Sequence, residues 1–233
     1  SPEDYIILIT GDLIDNGSHD GHHLKCKGLI DRLTAANFKV LVVPGNHDYG
    51  RWGCGFDIGR VKDFKRIYFE NENQTYPKVD FSNDRKIAFL GLDSMADAFR
   101  ADGYSSSAAG RIGQAQLDSL KDKLTNDRDV LSCEKRVIYL HHHPLCDWND
   151  FHKLKDAEKF CRLVLEYRDK IDALLFGHNH SGKDWNDWLV GIPRCYDGGT
   201  STRKRVKPDG IAPHRVIDLS QPAETDYDAR FLD

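Results

Sequence analysis

No apolar run in this 233-residue chain approaches the ~20 residues that a bilayer-spanning helix needs; the longest, such as Tyr5 to Ile9 and Ala173 to Phe176, stop after a few positions. A soluble protein without a membrane partner is therefore expected, and the cytoplasm is its expected location. Excess basic charge is also missing. The 33 Lys and Arg stand against 37 Asp and Glu, a formal net charge of -4, which leaves no overall field to draw in nucleic acid. Cysteine is sparse and scattered: Cys26, Cys54, Cys133, Cys146, Cys161 and Cys195 form no CxxC pair. That excludes a zinc-ribbon spacing and the density of a disulfide-stapled secreted scaffold, so reduced thiols are expected. Repeats, low-complexity tracts, long linkers and a secretory leader pattern are lacking as well. The first residue is Ser rather than Met, which fits a chain with something removed or left out upstream.

What is present suits a single core, with 39% of residues hydrophobic and 10% aromatic. Continuous β-branched runs at Tyr5 to Thr10 and Phe38 to Val43 read as buried strands around a helix from about Gly21 to Ala36, a βαβ unit. A second helix is expected over Asp57 to Tyr68, then a polar loop over Glu70 to Gln74 and a strand over Lys86 to Asp93. Further on, the pattern predicts a helix over Gly110 to Leu124, a strand over Arg136 to Leu140, a helix over Ala157 to Asp169 and a strand over Ile171 to Phe176. Shorter strands and turns fill Trp185 to Leu219. The sum is an α/β protein whose buried sheet carries helices on both faces.

Four of these apolar runs end in the same kinds of residue. YIILIT leads into Gly11-Asp12-Leu13-Ile14-Asp15, KVLVVP into Gly45-Asn46-His47-Asp48, RVIYL into His141-His142-His143-Pro144, and DALLF into Gly177-His178-Asn179-His180. Ligands of α/β sheets bind at the carboxyl ends of the strands, so the four clusters are expected to converge. Carboxylate, amide and imidazole make a mixed oxygen and nitrogen set suited to manganese, iron, zinc or similar ions. Two such ions ~3.5–4 Å apart activate a bridging water and clamp both oxygens of a phosphoryl displacement, which points to phosphate ester hydrolysis.

GDLID, GNHD, HHHP and GHNH, in this order and spacing, resemble four of the five signature blocks of the calcineurin-like metallophosphoesterases, and the similarity runs from Tyr5 to the closing stretch His214 to Leu219. The resemblance implies a four-layer α/β/β/α sandwich of two mixed sheets flanked by helices. It implies Asp12 as the bridging carboxylate, Asn46, His142 and His178 as ligands of one divalent or trivalent metal, and His180 as a ligand of a second. His142 is selected within the triplet because it lies two residues before the proline. By the same resemblance His47 protonates the leaving group, Asp48 orients its ring, and Asp15 is a supporting acid. Arg51 and His143 are weaker candidates for substrate contact. The expected activity is that of a phosphodiesterase with a binuclear centre and a metal-bound hydroxide, acting on a small phosphate ester and similar to the cyclic-nucleotide group. A phosphomonoesterase, or a non-catalytic interaction module with an incomplete metal site, is the alternative.

The family's fifth block, Asp-x-His on a strand before GDxxD, is absent: only Ser1-Pro2-Glu3-Asp4 precede Tyr5. The expectation is one metallophosphoesterase domain over 1–233 that lacks its first strand, with one metal site incomplete. Three readings stand: an amino-terminally incomplete chain, substitution by Asp20-Gly21-His22, or a site working with one metal or none. The His19, His22 and His23 group otherwise reads as a solvated helix start, and Arg203-Lys204-Arg205 with Lys207 as an exposed edge. Trp148, Trp185 and Trp188 read as core or lid packing ahead of base stacking.

Overall fold

A computed structural model of the chain describes residues 1–51, 53–56, 58–95, 108–145, 151–186, 188–189, 191–200 and 214–229. Cys146, Trp148 and the basic run at 203–207 lie outside them.

The first βαβ unit forms as its composition dictates. Strand β1 (Ile6–Ile9) leads through helix α1 (Asp20–Ala35) to β2 (Lys39–Val42). The two strands pair in parallel, Ile6 opposite Lys39 through Ile9 opposite Val42. A single-turn helix α2 (Asn46–Tyr49) follows, then the short strands β3 (Gly50–Arg51) and β4 (Cys54–Phe56) and helix α3 (Ile58–Phe69). The larger sheet is built from β5 (Lys78–Phe81), β6 (Ile87–Gly91), β7 (Lys135–Tyr139), β8 (Ala173–Phe176) and β9 (Cys195–Asp197), in that order. It is mixed: β5 runs antiparallel to β6, and β6 to β9 are parallel. Helices α4 (Gln114–Thr125), α5 (Arg128–Ser132) and α6 (Ala157–Glu166) connect its strands, and β10 (His214–Val216) pairs with β11 (Tyr227–Ala229) near the end.

Period-two alternation sorts these strands into layers. Ile6, Leu8, Leu41 and Val43 meet Phe89, Val137, Tyr139, Ala173 and Leu175 in one cluster, which is the contact between the two sheets. The alternate residues Ile9, Val40 and Val42 pack outward on Ile30 of α1 and Val61 and Phe64 of α3. On the far side, Ala88, Leu90, Ile138, Leu174 and Phe176 cover Leu117, Leu120 and Leu124 of α4 and Phe160 and Val164 of α6. The order of layers is therefore helix, sheet, sheet, helix, as expected. Strand β5 was not anticipated, because KVDF is a half-buried edge strand with two charges. Helix α4 begins at Gln114 rather than Gly110, since Gly113 before it takes φ +84°. The last helical stretch closes at Glu166 and continues only as a 3-10 turn over Arg168–Lys170.

Candidate metal centre and active site

The carboxyl ends of β1 and β2 meet those of β7 and β8 at the contact between the sheets. Beyond β1 the chain turns through Gly11 at φ +91° and Asp12 at φ +53°. A side chain at Gly11 would place its first carbon 2.5 Å from His141 Nδ1, so close approach as well as φ demands glycine. Asp12 is not glycine, and its left-handed backbone marks strain of the kind that functional sites hold. Its Oδ1 accepts from the His47 backbone N–H at 3.0 Å. Its Oδ2 lies 3.4 Å from His141 Nε2. Gly45 packs so closely on the Asp12 carboxylate that no side chain fits there.

Asn46 is 2% exposed, and its Nδ2 donates to the Gly53 carbonyl at 3.2 Å. That bond turns Oδ1 toward His141 Nε2 at 2.9 Å and His178 Nδ1 at 3.1 Å. The ring of His141 is held from its other side, where Nδ1 donates to the Thr10 carbonyl at 2.8 Å. His178, at φ +71°, brings Nδ1 within 3.1 Å of His141 Nε2. Burial, with the neighbouring His142 and His141 adding to it, pushes His178 well below the usual imidazole range. Among the described residues, Asp12, His141 and His178 are the titratable groups whose ligand atoms converge within 4.8 Å.

The sequence selects His142; the structure turns His141 to this cluster. Tyr139 faces the smaller sheet and Leu140 faces the helices, so alternation carries His141 toward Asp12 and His142 into the opposite core. His142 is fully buried, with Nδ1 2.8 Å from Ser94 Oγ and Nε2 donating to the Ala108 carbonyl at 2.9 Å. Burial holds it, too, well below the usual imidazole range. Counting from the strand rather than back from Pro144 would have selected His141. His180, at φ +55°, is exposed and stands outside the converging ligand atoms.

His47 sits beside the cluster with its side chain 30% exposed. Its Nδ1 donates to the Asp15 backbone carbonyl at 2.7 Å, with the Asp15 carboxylate 3.7 Å away. Asp15 therefore holds the ring, where Asp48 was expected. The Asp48 carboxylate is fully buried and accepts from the amides of Gly45 at 2.8 Å and Ile14 at 3.2 Å, tying the two ligand loops together. Burial and the nearby Asp12 charge raise its pKa against those amide bonds. Arg51 is exposed on β3. His143 packs on Phe176 and Trp185, with ring centroids 4.3 and 4.4 Å away, and burial lowers it to about 4. Trp185 joins the core, whereas Trp188, 5.3 Å from it, is 63% exposed. His19 and His22 are exposed and lie edge to face, and neither is among the converging ligand residues. His23, unexpectedly, is buried.

The donor set fits a cation. With Nδ1 of His141 donating to Thr10, Nε2 presents a lone pair to Asn46 Oδ1 and Asp12 Oδ2; His178 Nδ1, 3.1 Å from both Asn46 Oδ1 and His141 Nε2, can donate to these acceptors, and a cation bound among them would take the place of that proton. Their 2.9–3.4 Å separations match the edges of a coordination polyhedron with bonds of about 2.1 Å.

A family model described as calcineurin-like phosphoesterase matches residues 1–182. The chain belongs to the calcineurin-like phosphoesterase family. It is 26% identical over 190 residues to a 3',5'-cyclic adenosine monophosphate phosphodiesterase of Haemophilus influenzae, covering 79% of this chain and 58% of that protein. A probable cyclic nucleotide phosphodiesterase of Ruthia magnifica is 26% identical over 81% of this chain and 68% of its own length. A probable glycerophosphodiester phosphodiesterase of Arcobacter nitrofigilis is 24% identical, over 81% of this chain and 62% of its own length. The chain thus spans roughly three-fifths to two-thirds of these relatives. A dimetal phosphatase from Danio rerio shares the fold at TM-score 0.55 and 14% identity, over 82% of this chain and 71% of that one. Within this calcineurin-like frame, sequence reasoning missed the fifth strand end. After β6, Asp93 accepts from Tyr49 and Ser94 supports His142, and the run KIAFLGLD already carried that signal.

Proposed function

We propose that this chain is the phosphoester-hydrolysing domain of a phosphodiesterase that takes small diesters, cyclic nucleotides among them. One observation carries the reading: the ligand atoms of Asp12, Asn46, His141 and His178 converge while the partly exposed His47 stands beside them. Those four residues would hold a divalent or trivalent ion, and Asp12 and His180 would face a second. Bound metal would supply Lewis acidity, neutralising charge on the phosphoryl oxygens and making water acidic enough to attack at neutral pH. The Asp15 carbonyl fixes Nδ1 of His47 as a donor, so in the doubly protonated ring Nε2 is the atom that hands a proton to the departing oxygen, leaving the neutral Nδ1–H form. Names of relatives support the diester preference, and the net charge of -4 argues against nucleic acid as substrate.

The test is hydrolysis of bis-p-nitrophenyl phosphate, 3',5'-cyclic AMP and p-nitrophenyl phosphate by the chain supplied with manganese, iron or zinc. Turnover of both diesters above the monoester is expected. Preference for the monoester would make the protein a phosphomonoesterase, and no turnover with any metal would leave a binding domain. Replacing His47 by Ala should lower turnover of 3',5'-cyclic AMP by about 10²-fold or more with metal content retained, and equal loss of turnover and metal would remove its role as acid.

A further inference from the structure

Helix α2 is one turn long, so its carbonyls have no following turn to accept from and need donors from elsewhere. Gly17 supplies one, its N–H reaching the His47 carbonyl at 2.8 Å and that of Gly50 at 3.0 Å. The Asp48 carbonyl is met instead by a side chain. His23 of α1, 1% exposed, places Nε2 3.0 Å from it. A carbonyl only accepts, so Nε2 carries the proton and Nδ1 turns a lone pair to the Tyr68 hydroxyl of α3, 3.2 Å away, whose one proton also has the His23 carbonyl within reach at 3.4 Å. The ring is wedged edge-on against Phe64 and Tyr68, with centroids at 6.1 and 5.7 Å. A histidine buried this deeply, with one nitrogen on the turn that carries Asn46 and His47, does more than fill space.

We propose that His23 is a positioning residue for the active site: its Nε2–H to the Asp48 carbonyl, backed by Tyr68, fixes α2 against α1 and α3 and thereby sets the direction of the His47 ring. The kinetic part of this proposal rests on the reading of His47 as proton donor; the geometric part does not. Without the bond, the Asp48 carbonyl is left buried and unpaired, and the turn shifts to reach another donor. A displacement of about 1 Å at an acid is enough to cost up to about 10²-fold in rate.

The experiment compares His23→Phe, His23→Gln and Tyr68→Phe in the full chain. Phe keeps a planar aromatic ring, slightly larger than imidazole, and removes the donor; Gln returns an N–H near the place of Nε2. Long-range proton-nitrogen spectra of the His47 ring in the metal-free chain report which nitrogen carries the proton. The wild type and His23→Gln should show a fixed Nδ1–H form, and His23→Phe should shift the His47 ring and Gly17 amide signals. A folded His23→Phe with those signals unmoved overturns the proposal. If His23→Phe fails to fold, Tyr68→Phe decides, with a smaller shift in the same direction expected and an unmoved ring overturning it. In turnover, His23→Phe should slow 3',5'-cyclic AMP, whose alkoxide needs a proton, by about tenfold or more. Bis-p-nitrophenyl phosphate, whose phenolate leaves unaided, should slow by less than about threefold. Equal loss on both substrates would overturn positioning in favour of a scaffold role. Should His47→Ala itself show no such split, the proton-donor reading falls and the spectra alone judge His23.

Discussion

His141 and His142 are adjacent in the chain and share a side-chain type, yet they do opposite things. One presents a lone pair to Asp12 and Asn46; the other spends both nitrogens on Ser94 and the Ala108 carbonyl. Replacing His141 by Ala should therefore abolish tight metal binding, measured by elemental analysis after gel filtration, and also lower the denaturant midpoint, because the ring is buried and holds the Thr10 carbonyl. Replacing His142 by Ala should lower stability alone. It leaves a cavity and an unpaired carbonyl, costing about 2–4 kcal/mol in urea unfolding while metal content stays near that of the wild type. The opposite pattern would restore His142 as the ligand. Asp12, Asn46, His47 and His178 were legible one by one, because each follows a buried strand and a turn former. His141 was not, since three identical letters in a row are told apart only by the alternation of the strand before them, which counting back from Pro144 does not use.

At the scale of elements, the site depends on turns that leave strands within two residues. Gly11 is the sharpest of them: its φ of +91° and its contact with His141 Nδ1 both exclude a side chain. Gly11→Ala should destabilise the chain by about 2 kcal/mol or more, read from the urea midpoint, and lower metal affinity with it because the His141 ring must move. Wild-type stability and affinity together would refute this account of the loop. The strands and helices that carry continuous or strongly periodic apolar residues were readable from sequence, β1, β2, β6, β7, β8 and the body of every helix longer than ten residues among them. Strand β5 was hidden because Lys78 and Asp80 break its pattern at the sheet edge, and α2 because one turn of helix has no period to detect.

At the scale of the whole molecule, two contacts among the described residues show how distant parts of the chain are joined. One is the inter-sheet cluster, where Phe89, Val137, Tyr139 and Leu175 meet Leu41 and Val43. The other is the pair of Arg194 and Asp226 at 2.7 Å, with side chains 5% and 2% exposed. Asp226 also accepts from the Tyr196 hydroxyl at 2.9 Å and the Asp218 amide at 3.2 Å, which fastens the final described segment to β9. Removing one partner strands a buried charge, so Asp226→Ala should cost about 3–5 kcal/mol in urea unfolding, without altering which metals the folded chain retains. Loss below about 1 kcal/mol would show the pair to be dispensable. Among the described residues no helix is long and apolar enough to cross a membrane, and no disulfide joins the described cysteines.

Sequence alone determined the α/β class, the order of the strands that carry chemistry, and the carboxylate, amide and imidazole types at their ends. These follow from local rules, since a buried strand must be apolar and a sharp exit from it needs Gly, Pro or a tolerant polar residue. Tertiary structure decided which histidine of the triplet joins Asp12, that Asp15 rather than Asp48 holds His47, and that His23 is buried beneath the site. The physical reason is register. Side chains alternate across a strand, so a shift of one residue in where β7 pairs with β8 exchanges the two faces, and only the packing of one sheet on the other fixes that register.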